Sequence, residues 1–215
     1  MASTSELLKP SEVAVVAGVA VRDVNRAIDE RILPDEFYRV DEGRSISATG
    51  CVFISFYFDS AERLTAEERV TTIRELGSRL GSALAPDSWA KIDWTLRDDF
   101  LTIDLFPFVE RTKDGLERLE AARKVVVSDP GVLSGTPVIR GTRIPVHDVA
   151  ASVAAGIPTK RILDAYPALD KEKIDLATIY SLANPPRGRP RASDALPAGA
   201  ALITERRTPR GRKAR

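Results

Sequence analysis

The sequence predicts an α+β, mostly helical protein built from small consecutive units. Three observations point there: short apolar helical patterns punctuated by glycine, segments of alternating polarity that read as hairpins, and a sharp change in charge at residue 185. The 215 residues are 43% hydrophobic, enough to enclose a core. Four parts are expected: an N-terminal helix-turn-helix with a possible wing (1–46), a middle mixed segment of helix and strand (47–124), a β-hairpin with three helices in a helix-turn-helix-like arrangement (125–184), and a disordered basic tail (185–215).

Residues 10–28 read as two short helices around Gly18, which permits a left-handed turn. Val13, Val19, Val24 and Ile28 form the apolar wedge between them, and small Ala14 allows close approach. The second helix then presents Arg22, Asn25, Arg26 and Asp29 outward, residue types that reach base edges or phosphates from a major groove. Residues 38–46 read as two strands about a turn, a wing carrying Arg39 and Arg44. The same spacing also suits a helical packing unit that never touches DNA, and residues 1–34, with four basic and five acidic groups, make a weak electrostatic footprint.

In the middle segment, residues 50–58 suit a buried strand or a buried helix, with helix favoured. Thr65 followed by Glu67 and Glu68 opens a helix that runs to Leu80 and closes at Gly81. Residues 92–96 and 100–105 alternate as a hairpin, and residues 109–123 follow as an amphipathic helix. Cys51, with no histidine or basic cluster near it in sequence, reads as a core thiol. Asp98, Asp99 and Asp104 could be proposed as a metal site, but Asp98-Asp99 at a hairpin tip are ordinary turn residues, and no metal is expected.

From residue 125 the pattern is strand, turn, second strand, glycine turn at Gly141 and helix entry at Pro145. Helices are expected over 146–155, ending at Gly156, over 160–165 after Thr159, and from Asp170 to about Ala183. Arg140 and Thr142 beside Gly141 can be read as turn and cap chemistry or, with Arg143, as binding residues. His147, at a helix start, reads as a capping or surface residue with no partner in view.

A single cysteine and a single histidine exclude a disulfide framework and a Cys/His zinc site. No nucleophile with an adjacent base, phosphate-cradling glycine loop or paired catalytic carboxylates can be assembled, so neither an enzyme nor a cofactor is expected. No apolar run approaches the ~20 residues of a membrane span, and the first residues lack the regions of a secretion signal; a cytoplasmic protein is expected. The net charge of +1 conceals a split: residues 185–215 carry nine basic and two acidic groups, five of the 14 prolines and no aromatic residue. Such a segment cannot bury enough apolar surface to offset the entropy of ordering.

Asp129-Pro130-Gly131, Gly135, Pro137, Ile139-Arg140-Gly141-Thr142-Arg143-Ile144, Val146, Gly156, Ile162-Leu163, Tyr166-Pro167, Leu169, Ile174 and Tyr180 closely resemble the pattern of the antitoxin-associated domain of unknown function 433, over about 60 residues. With a helix-turn-helix in front and an arginine-rich tail behind, the chain resembles the VapB-like antitoxins of bacterial type II toxin–antitoxin pairs. That resemblance implies a PIN-domain (VapC-like) ribonuclease as partner, neutralisation of that toxin, repression of the shared operon through operator DNA, and a homodimer.

A PIN-type nuclease would hold magnesium in a carboxylate cluster, which attracts a guanidinium able to pair bidentately. On this expectation Leu196, Leu202 and Ile203, from the apolar stretch of the tail, anchor it on the toxin, and Arg206 or Arg207 reaches the acidic site. Two other readings of the tail are a sequence-blind grip on DNA phosphate and a solubilising segment without a partner. For the whole chain, the alternatives are a stand-alone helix-turn-helix regulator without a toxin and an adaptor whose helical units bind other proteins.

Overall fold

The computed structural model describes residues 7–80, 85–98 and 101–186. These form a mostly helical structure with three small two-stranded antiparallel sheets.

Two short helices, α1 (Pro10–Ala17) and α2 (Val21–Asp29), are joined through Gly18, whose φ of 70° is the left-handed conformation that closes α1 tightly. Val13, Val24 and Ile28 are buried between them. The hairpin β1 (Tyr38–Arg39) and β2 (Ser45–Ile46) pairs Tyr38 with Ile46 and Arg39 with Ser45. Leu8 adds to its edge: its N–H donates to the Ile46 carbonyl at 2.8 Å, and the Ile46 N–H returns a bond of 2.9 Å. The chain entering α1 is thereby fastened to the hairpin.

The ambiguous apolar stretch is helix α3 (Ala48–Asp59). The Ser47 hydroxyl caps it by accepting from the Gly50 N–H at 3.2 Å. A helix apolar all round is a buried one, and α3 packs against α1, α2, α4 (Ala66–Leu80) and α5 (Phe106–Val125). Thr65 and Glu68 form the expected reciprocal cap of α4: the Thr65 N–H donates to Glu68 Oε2 at 2.7 Å and the Glu68 N–H to the Thr65 hydroxyl at 3.3 Å.

The expected hairpin over 92–105 starts later than its alternation suggests. Pro86–Lys91 is a 3-10 turn with Ile92 as its cap, and the strands are β3 (Thr95–Asp98) and β4 (Leu101–Asp104). The cause is tertiary: Trp89 and Trp94 are both buried, their rings pack edge-to-face with centroids 5.9 Å apart, and the Trp94 indole N–H donates to the Trp89 carbonyl. Helix α5 is likewise longer than the expected 109–123, because Pro107 sits in its first turn, where a missing N–H costs nothing. It consumes residue 125, so β5 is only Val126–Val127, paired with β6 (Val138–Ile139).

Helices α6 (Val146–Ala154), α7 (Thr159–Ala165) and α8 (Lys171–Ala183) follow at the expected places. Gly156 has a φ of 73° after α6, and the Asp170 carboxylate caps α8 by accepting from the Lys173 N–H at 2.7 Å.

One apolar core runs from Leu8 through α1 to α5 without a break at residue 46. A second, smaller core gathers Val126, Ile139, Val146, Val149, Ile162, Leu169, Ile174 and Ala177. Helix α8 serves both, since its Leu176, Ile179 and Ala183 belong to the first core.

Helix α1 is the hub of the first core and contacts α2, α3, α5 and α8. It meets α5 at Gly115, where an added Cβ would stand 2.6 Å from the Val16 carbonyl oxygen. Two polar contacts fix it further. Buried Glu12 pairs with Arg123 of α5 at 2.8 Å and accepts from the Lys9 N–H at 2.9 Å, and the Ser11 hydroxyl donates to the Ala183 carbonyl at 2.6 Å.

Candidate nucleic-acid interface

Helix α2 is strongly two-sided. Val24, Ala27 and Ile28 are buried against the core, which leaves Arg22 and Arg26 on the solvent face with Asn25 half-buried beside them. The Arg22 guanidinium is 88% exposed and lies 3.6 Å from Asp23. Arg26 Nε donates to Glu30 at 2.9 Å, and this hydrogen bond holds the Arg26 proton more tightly than usual. The Asn25 amide nitrogen donates to the Val21 carbonyl at 3.0 Å.

Arg44, expected as a DNA contact on the hairpin, instead reaches back to α2. Its Nη2 lies 2.6 Å from Asp29 Oδ1, while its Nη1 donates to Asp29 Oδ2 at 3.2 Å and to Asn25 Oδ1 at 2.8 Å. A planar guanidinium is thus spread over two side chains of one helix face. Arg39, on β1, is exposed.

A cleft of about 640 Å³ opens between the hairpin and the segment leading into α1, lined by Lys9, Arg39 and Arg44 together with Asp41 and Glu42. Of the five residues expected at a DNA interface, Arg22, Asn25 and Arg26 share α2, Arg39 and Arg44 line the cleft, and the Arg44–Asn25 hydrogen bond joins the two groups. Sequence reading missed Lys9, whose place beside the hairpin follows from the Leu8–Ile46 pairing, a contact between residues 38 positions apart with no local signal.

The motif around Gly141 has a clear architectural job. Gly141 turns with a φ of 76°, and the Thr142 hydroxyl donates to the Ile139 carbonyl at 2.7 Å while accepting from the Ile144 N–H at 3.1 Å. The Arg140 N–H donates to the Val125 carbonyl at 2.8 Å and its Nε to the Lys124 carbonyl at 2.9 Å, so this cation caps the negative end of α5. Arg143 points to solvent.

His147 is not solitary, as the sequence suggests. Its Nδ1 sits 2.9 Å from the Ser181 hydroxyl and joins α6 to α8. Cys51 is fully buried, and burial pushes its thiol far above its ordinary pKa. Among the described residues, no group of three or more His, Cys, Asp or Glu is placed to hold a metal ion, and no helix is long and apolar enough to cross a membrane. Leu196, Leu202, Ile203, Arg206 and Arg207, the residues expected to meet a toxin, lie outside the described residues, as does Asp99.

The family model described as a protein of unknown function, DUF433, matches residues 126–181, the stretch that builds the second core. The uncharacterized protein y4eO of Sinorhizobium fredii (strain NBRC 101917 / NGR234) is 52% identical over 215 residues, covering 99% of this chain and 97% of its own. The chain belongs to the y4eO family. Likeness to that relative runs through both cores, so the N-terminal unit with α2 and the β1–β2 hairpin is as much a part of the family as the DUF433 region. No solved structure matches the chain.

Proposed function

We propose that this protein is a DNA-binding autorepressor that also acts as the antitoxin of a PIN-domain (VapC-like) ribonuclease. The observation that carries the DNA-binding half is the joint presentation of Arg22 and Arg26 on α2 and of Lys9 and Arg39 along the neighbouring hairpin cleft. In this reading α1 and α2 form a helix-turn-helix, α2 enters the major groove and the β1–β2 hairpin is its wing. Asp23, Asp29 and Glu30 dilute the positive charge of the unit, so useful affinity calls for a homodimer, for the basic residues beyond 186, or for both.

The antitoxin half is supported by the DUF433 match and by the arginine-rich sequence that follows it. Arg206 or Arg207 would occupy the nuclease's carboxylate cluster, with Leu196, Leu202 and Ile203 anchoring the segment. A stand-alone regulator is the second reading, favoured by the fact that the DNA-facing geometry lies wholly in residues 8–46 while the residues assigned to the toxin lie outside the described part.

Co-expression with the gene just downstream tests the first reading. Relief of growth arrest and co-purification of a complex are expected, and both effects should be lost on deleting residues 185–215. Relief without a complex, or a tail-less chain that protects fully, would overturn the assigned mechanism. A gel shift with the protein's own upstream sequence at two salt concentrations tests DNA binding separately.

A further inference from the structure

We infer that Arg44 and Asp29 form a strut that sets the hairpin against α2, so that Arg44 acts as a positioning residue and the phosphate contacts fall to its neighbours. The inference rests on the DNA-binding reading above and reassigns one of its residues. Arg44 is the only residue of the β1–β2 hairpin whose described side-chain bonds reach α2, and it makes three, to Asp29 and Asn25. Three of the five guanidinium N–H donors are thereby committed to α2, and the paired Asp29 carboxylate offsets the charge that Arg44 could otherwise offer a phosphate.

Asp29 argues in the same direction. It is the last residue of α2, where a carboxylate opposes the helix dipole, and aspartate is a weaker helix former than alanine. On a surface that faces DNA it also repels phosphate. Three independent effects therefore disfavour aspartate at this position, and the Arg44 fork is the compensating contact. Asn25 is held at both ends of its amide, by the Val21 carbonyl and by Arg44, so the strut ties a second side chain of α2 to the hairpin.

The test uses the full-length protein and a labelled duplex covering the sequence upstream of its own coding region, titrated at several salt concentrations. Arg44→Lys keeps the charge but cannot form the planar fork. Asp29→Ala removes a charge that repels DNA. A strut predicts that both weaken binding, by up to about fivefold, the range an exposed ion pair commands, while the salt slope stays that of wild type. Arg39→Ala, the comparator, lowers that slope by about one phosphate. Tighter binding by Asp29→Ala, or wild-type affinity in Arg44→Lys, would overturn the strut while leaving the DNA-binding reading intact. Wild-type protein with no salt-dependent affinity for the duplex would overturn both. Far-UV circular dichroism confirms that each variant is folded at the assay temperature, and Asp29→Ala, which improves helix propensity, carries the decision if Arg44→Lys does not fold.

Discussion

Replacing Gly115 with alanine sets two well-measured effects against each other at one site. In an ordinary helix interior the change is favourable by about 1 kcal/mol, because glycine loses more backbone freedom on folding. At Gly115 the new methyl would lie 2.6 Å from the carbonyl oxygen of Val16, 3.0 Å from its Cα and 3.2 Å from its carbonyl carbon. All three are backbone atoms of α1, so no rotamer change relieves the contact; α1 and α5 must separate by roughly half an ångström or more. Close-packed interiors resist such shifts at a cost of about 1–3 kcal/mol, sometimes more, and α1 cannot move without loosening its contacts with α2, α3 and α8. Because only backbone atoms are in the way, the upper part of that range, about 2–3 kcal/mol, applies; less the gain of about 1 kcal/mol, the net expectation is a loss of about 1–2 kcal/mol, a fall in Tm of roughly 2–8 °C for a chain of this size. Urea titration followed by circular dichroism measures it directly. A Gly115→Ala protein as stable as wild type or more so would show that α1 and α5 are not in backbone contact, and the hub role of α1 would fall with it.

Three further outcomes are expected. Glu12→Ala removes a buried carboxylate that meets both Arg123 and the Lys9 N–H, and should cost about 2 kcal/mol in a chemical denaturation series. Glu12→Gln, which keeps the shape and an acceptor, should cost less, and equal losses would argue against the ionic contact. Cys51 should resist a thiol reagent in native protein and react with one equivalent in denaturant, since burial both shields it and raises its pKa; rapid native labelling would contradict the packing of α3. Hydrogen bonds from Arg97 and Thr95 hold Asp93 down to a pKa of about 2. Because the folded-state value is depressed, this contribution is present above the unfolded value near 4 and is lost as pH falls toward 2. Asp93→Asn should flatten the pH dependence of the melting temperature in that window, and an unchanged profile would remove Asp93 from the acid response.

What the sequence disclosed is what short-range chemistry dictates. The turn at Gly18, the Thr65–Glu68 cap, the Asp170 cap and the stop at Gly156 each rest on residues within four positions of one another, and the structure places all four as expected. Composition was a poorer guide where burial decides. A nearly all-apolar stretch such as residues 50–58 has no periodicity to separate helix from strand, and the helices packed around it decide for helix. The late start of β3 depends on two tryptophans packing on each other, which alternation along the strand does not encode.

The candidate interface divides in the same way. Exposure of Arg22 and Arg26 follows from the amphipathic pattern of α2, whereas the Asp29–Arg44 fork, the Glu12–Arg123 pair and the neighbourhood of Lys9 join positions 15, 111 and more than 30 residues apart. No local rule connects them. Arg140 shows the reverse hazard: a conspicuous motif residue whose side chain holds down a helix end.

Helix α8 gives the recognised region an unusual boundary. The family match begins at Val126 and ends at residue 181, as though a module had been cut there, yet one face of α8 completes a hydrophobic interior whose other walls come from residues far upstream. Excised alone, residues 126–181 would expose Leu176 and Ile179 to water, and the remainder would lose part of the wall against which α1 and α5 close. The limits of a recurring sequence are here not the limits of a cooperative folding unit, so hydrogen exchange in α1 and in α8 should be governed by the same opening event.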